Sequence, residues 1–233
     1  MTGVLFAADP TPQDQVKNAV TALAAKGSYS WTTTVNNANA AGAGGRGRFR
    51  TGPVEGKTVK GGLTFLTMTR GDNTTEVVLQ GDKAAIKGAA GWQTLAEATA
   101  TDTGQPNPTR FIARMVQTFK TPAAEAADLA SKAQALTKTE DAFTAELTEA
   151  DAQQLLTTGP RPGGGNAPAP TNAKGSVKFV VKDGVLSRYE YNVQGTMNFN
   201  GNDVNINRTT TTEIKDIDTT KVDVPDEAKQ KVS

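Results

Sequence analysis

The chain has 233 residues, a formal net charge of +1, and neither cysteine nor histidine. That length can bury a substantial core, and the charge balance supplies no global field to attract nucleic acid or an anionic membrane. The two missing residue types exclude disulfides, thiol nucleophiles, histidine triads and His/Cys metal centres, leaving acid–base chemistry to carboxylates, Lys and Tyr.

Residues 1–11 read as a tail or the remnant of an export signal. A short apolar run (Val4-Leu5-Phe6) meets Ala7-Ala8 and a polar, Pro-rich stretch, without the basic start and longer apolar core of a full signal. A helix then starts at Thr11-Pro12-Gln13-Asp14, where Thr11 can cap and Pro12 suits the first turn. Val16, Ala19, Val20 and Leu23 recur at helical spacing, and Gly27 is the expected stop.

In "SYSWTTTV", Tyr29, Trp31, Thr33 and Val35 alternate onto one face. After an Ala/Gly loop near 38–47, short segments ended by Gly-containing turns predict an antiparallel meander. Gly71-Asp72, Gly81-Asp82, Asp183-Gly184 and Asn200-Gly201 mark its hairpins. The middle of the chain turns helical. Phe111, Ile112, Met115, Val116 and Phe119 form one stripe, and an Ala-rich helix follows Pro122. A strand at Phe143–Leu147 and a small helix from Glu149 to near Leu156 come next. The Pro/Gly-rich stretch 158–175 reads as a flexible hairpin excursion. Beyond it, Tyr189, Tyr191, Val193, Met197 and Phe199 share one face of a long strand. Val204, Ile206, Thr210, Thr212 and Ile214 run back beside it. At the end, Lys221–Val224 is expected to complete the sheet or lie against its rim. Pro225 stops the ladder, and a short helix follows with acids first and Lys229 and Lys231 last.

Several motifs point to chemistry only weakly. Gly42 to Gly47 is followed by a strand, whereas a phosphate cradle needs a helix there. Arg46, Arg48 and Arg50 read as the solvated face of a strand, and Arg70-Gly71-Asp72 as a turn. The scattered carboxylates form no recognisable catalytic or metal-binding set, so no catalytic residue, metal or cofactor is expected. Trp92 can line a pocket or sit in the core, and so can the 111–119 stripe.

The order of elements, the "KDGVL" hairpin and the closing "IKDIDTTKVDVPDEA" resemble the LolA/LppX-type family of bacterial envelope proteins, from about Gln13 to Val232. The acylated cysteine of its anchored members is absent, and both loops are longer than that fold usually carries. The resemblance implies an α+β fold: a strongly curved antiparallel half-barrel with an N-terminal helix and central helices packed on its concave side. It also implies an envelope location, periplasmic or secreted, and a hydrophobic cavity. The expectation is one domain over 12–233, monomeric and non-enzymatic, with no membrane span and no nucleic-acid partner. It would bind a lipid, acyl chain or lipoprotein, and the expected lining is Tyr29, Trp31, Phe65, Trp92, Phe111, Met115, Phe119, Tyr189, Tyr191 and Phe199. The alternative is an interaction or sensor module of the same fold, its interior filled, that recognises an envelope protein. An apolar void of about 300 Å³ or more would separate the two.

Overall fold

A computed structural model describes residues 9–38, 52–71, 73–89, 91–100, 108–157, 169–199 and 201–233. The export-signal segment, the Gly42–Gly47 loop, the Arg46/Arg48/Arg50 stripe and most of the 158–175 loop lie outside them.

Helix α1 (Pro12–Ala24) begins where the capping residues place it. Thr11 accepts from the Asp14 amide, and the Asp14 carboxylate accepts from the Thr11 amide, so two orphan N–H groups are satisfied. Its buried residues are Val16, Ala19, Val20 and Leu23, as the spacing requires. It stops at Ala24, three residues before Gly27. The Gly27 amide instead donates to Asp218 and helps fasten the chain's end beside its beginning.

The meander follows as β1 (Ser28–Asn37), β2 (Val54–Val59), β3 (Thr64–Arg70), β4 (Asn73–Gln80), β5 (Lys83–Gly88) and β6 (Gly91–Thr94). Three helices come next, α2 (Leu95–Ala100), α3 (Pro108–Gln117) and α4 (Pro122–Lys132), then β7 (Thr137–Lys138), β8 (Phe143–Glu146) and α5 (Glu149–Thr157). The second half closes with β9 (Thr171–Lys182), β10 (Val185–Phe199), β11 (Asn202–Lys215) and α6 (Asp226–Val232). Strand β9 begins at Thr171, inside the stretch read as loop to residue 175. Asp183 and Gly184 both have positive φ, the conformation a two-residue hairpin needs to match strand twist.

All eleven strands form one open sheet in the order β6-β5-β4-β3-β2-β1-β11-β10-β9-β8-β7, antiparallel throughout. The architecture is α+β, a curved half-barrel. Its edge strands are short, which limits the unpaired backbone offered to another chain. The concave face and helices α1 to α5 share one large core. Helices α1 and α5 pack most closely on β9 and β10, and α2 and α3 on β5. Helix–sheet packing is therefore densest on the two flanks.

The C-terminal segment departs from expectation. Lys221–Pro225 is not a strand, and α6 lies against β4, β5 and β6 on the convex side. There Val224, Ala228 and Val232 bury against Val78, Ala85 and Trp92, with Leu63, Phe65 and Val222 packed around them. The sheet is covered on both faces at this end. Accordingly β4 carries Val77-Val78-Leu79 and β5 carries Ala84-Ala85-Ile86, all buried, rather than alternating apolar and polar residues.

Candidate functional site

The concave face is built by strand alternation. One row runs Phe143–Phe179–Tyr189–Thr212–Thr33–Val54–Met68 across seven strands in direct register. A parallel row passes through Ala145, Val177, Tyr191, Thr210 and Val35. Trp31 lies opposite Ile214 on one side and Gly56 on the other. A Cβ on Gly56 would come within 2.1 Å of the indole ring, so glycine is what lets the ring lie down on β2. The same ring stacks on Phe119, with centroids 5.9 Å apart and planes 19° from parallel. Helix α5 and the residue leading into it gain their close approach similarly, with Leu147 and Ala152 over Gly175 and Leu156 over Gly195.

Polar groups in this face are few and specific. Tyr29 is buried, its hydroxyl within hydrogen-bonding reach of the Ala123 backbone, Thr121 and Thr58. Glu125 of α4 accepts from the Tyr189 hydroxyl at 2.5 Å and from the Tyr191 hydroxyl at 3.4 Å. Burial pushes the Glu125 carboxyl above its ordinary 4.5, against the pull of the two hydroxyls. The Tyr191 phenol is pushed up to about 12, by burial first and by Glu125 second.

A raised carboxyl means that the folded state holds its proton more tightly than the unfolded state does. Stability from this group is complete below its unfolded value and is lost as pH rises through the folded one. Urea unfolding across that window is expected to show wild type falling relative to Glu125→Gln as pH increases from about 4.5. A difference between the two that does not change with pH would refute this.

Arg208 of β11 also reaches this face. Its Nη2 donates to the Leu155 carbonyl at 2.6 Å, at the C-terminal turn of α5, while its Nε is buried without a partner. Neither Glu125 nor Arg208 was among the expected lining residues, yet the pattern held both. Arg208 falls on the same parity as Ile206, Thr210 and Thr212, and Glu125 lies three residues from Pro122 and four from Leu129 on the buried stripe of α4.

Between the flanks, β2, β1 and β11 form the middle of the sheet. Val54, Ile112, Met115, Phe119, Tyr191 and Ile206 pack against the core but remain partly exposed. A pocket of about 270 Å³ opens near the β4–β5 turn, with Leu79, Ala84, Leu95, Val116 and Phe119 inside and Asp82, Lys83, Gln117 and Thr121 around them. It falls just short of the 300 Å³ expected of a carrier and is lined by polar as well as apolar groups.

Of the expected lining residues, Tyr29, Trp31, Met115, Phe119, Tyr189 and Tyr191 gather on the concave side. Phe65 and Trp92 do not. Phe65 pairs with Val78, Trp92 pairs with Lys87, and both belong to the convex core beneath α6. In β3 the concave positions fall to Leu66 and Met68. Phe111 is half-buried on α3. The backbone of Phe199 ends β10, and its side chain lies outside the described residues. Among the described residues no group of three or more acids is placed to hold a metal ion. No helix among them is long and apolar enough to cross a membrane.

No family model and no curated protein matches the chain. Solved structures similar to it include two mycobacterial proteins, LppX and LprF. The lipoprotein LppX of Mycobacterium tuberculosis is 11% identical over 94% of this chain and 100% of its own, with a TM-score of 0.46. LprF from Mycobacterium bovis is 12% identical over 94% and 98%, also at 0.46.

Proposed function

We propose that the protein is a non-enzymatic binding protein of the bacterial envelope that holds a lipid or acyl chain in the trough between α3 and the sheet. The observation that carries this reading is the incomplete burial of one apolar surface. Helices α1, α4 and α5 bury their apolar stripes, but Ile112 and Met115 of α3, and Phe119 after it, stay partly exposed, as do Val54, Tyr191 and Ile206 of the sheet. An apolar chain laid there gains about 25 cal/mol for each Å² it removes from water. Envelope location rests on the export-like pattern from Val4 to Ala8. The working unit is one domain over 12–233, acting as a monomer and without a nucleic-acid partner.

Organic extraction of natively purified protein, followed by mass spectrometry, is expected to release an acyl species in near-stoichiometric amount. Native mass spectrometry should show the loaded complex intact. Protein that carries no acyl ligand and takes up none on incubation would rule the reading out. Trp31 supplies a second readout, because its stacking partner Phe119 lines the pocket.

A filled-interior interaction module is the competing reading. The flat seating of Trp31 on Gly56 and the close contact of α5 with Gly175 and Gly195 favour it, since both fill space that a ligand would need. The same extraction separates the two, because the module carries no ligand.

A further inference from the structure

We propose that Arg208 binds the carboxylate of a single-chain amphiphile whose tail lies in the trough. The inference rests on the hydrophobic-ligand reading above and adds to it the class of head group. Arg208 sits opposite Val193 on β10 and shares its face with Ile206 and Thr210. Only its Nη2 is engaged, by the Leu155 carbonyl, and the Nε–H is buried with nothing to donate to. The carboxylate turned into this region, Glu125, already accepts from Tyr189 and Tyr191. Arg208 forms no ion pair with any described residue. Arg208 is only partly buried, but its charge lacks a partner among the described residues and its covered Nε–H lacks an acceptor, so what it needs is an anion and one more acceptor.

A carboxylate meets both needs, accepting from Nε and neutralising one charge. Apolar surface lies along the sheet on both sides of the head position, with Ile206 two residues one way on β11 and Val54 in the row of Thr212, four residues the other way. The binding geometry is therefore that of a long-chain acid, its carboxylate toward α5 and its tail toward α3.

The test is a fluorescence titration of the full chain with hexadecanoic acid and with hexadecanol at about pH 8, where only the acid is charged. Wild type should bind the acid about tenfold tighter than the alcohol, the expected gain from one charge-assisted contact. Arg208→Gln should bring the two affinities together, and Arg208→Lys should restore part of the gap. Equal affinities in wild type would overturn the proposal while leaving the trough as a lipid site. So would an acid preference that survives in Arg208→Gln. Binding of neither ligand would overturn the trough reading and the head-group assignment together. If Arg208→Gln does not fold, Arg208→Lys carries the same comparison, and an acid preference there undiminished from wild type would overturn the proposal.

Discussion

Gly56→Ala is expected to destabilise the protein by about 3 kcal/mol, the upper part of the usual range for overpacking a core. The added methyl would stand 2.1 Å from the indole carbons of Trp31, far inside contact distance. Trp31 has little room to retreat. It is 4% exposed, paired with Ile214 on its other side and stacked on Phe119. The cost should appear as a lower urea midpoint and as a changed Trp31 emission in a Trp92→Phe background. Replacing Trp31 by Leu in the same chain should recover part of the loss, because the two changes share one space. Gly56→Ala with wild-type stability would show that the indole does not rest on β2.

Removing α6 by ending the chain before Asp226 is the second large effect, an expected loss of about 3 kcal/mol from the burial of Val232, Ala228 and part of Trp92. The ion pair of Lys231 with Glu97 and the bond from Lys83 to the Ser233 carbonyl add little, being exposed. Trp92 is 9% exposed with α6 in place. Its emission, read in a Trp31→Phe background, should shift to the red on truncation. An unshifted Trp92 would place α6 elsewhere. This outcome and the Gly56→Ala outcome report on opposite faces of one sheet, so they should be close to additive.

How much of this was legible in the sequence varies with the kind of signal. Period-two alternation placed Tyr29, Trp31, Tyr189, Tyr191, Val193 and Met197 on one face, and they lie there. The capping pattern at Thr11–Asp14 located α1 to the residue. Phe65 and Trp92 were misplaced because aromatic character was followed instead of parity, and Leu66 and Met68 hold the inward positions of β3. The second core had its own signal. Val77-Val78-Leu79 and Ala84-Ala85-Ile86 are unbroken apolar runs, which a strand shows when both its faces are covered. The tail "VDVPDEAKQKV" supplied the cover, but nothing in its composition tells the convex side from the rim. Glu125 and Arg208 were hidden for a different reason. Each is a charge at a position that the periodicity marks as buried, and only tertiary contacts show what such a charge meets.

The strand order has a consequence for how the molecule assembles. Strands β1 to β6 pair only with sequence neighbours, and so do β7 to β11, giving two meanders that touch along the single ladder between β1 and β11. That seam joins segments such as Ser30 and Asp216, separated by 186 positions and linked by a 2.6 Å side-chain bond. Each meander can be built from short loop closures, but the seam requires the longest closure in the chain and returns nothing until both partners exist. Trp31 lies beside that seam, and Arg208 is the β11 partner of Asn37 at the seam's far end. The middle of the sheet is therefore a product of the final zippering, and any partly folded chain that holds only its meanders has no binding face at all.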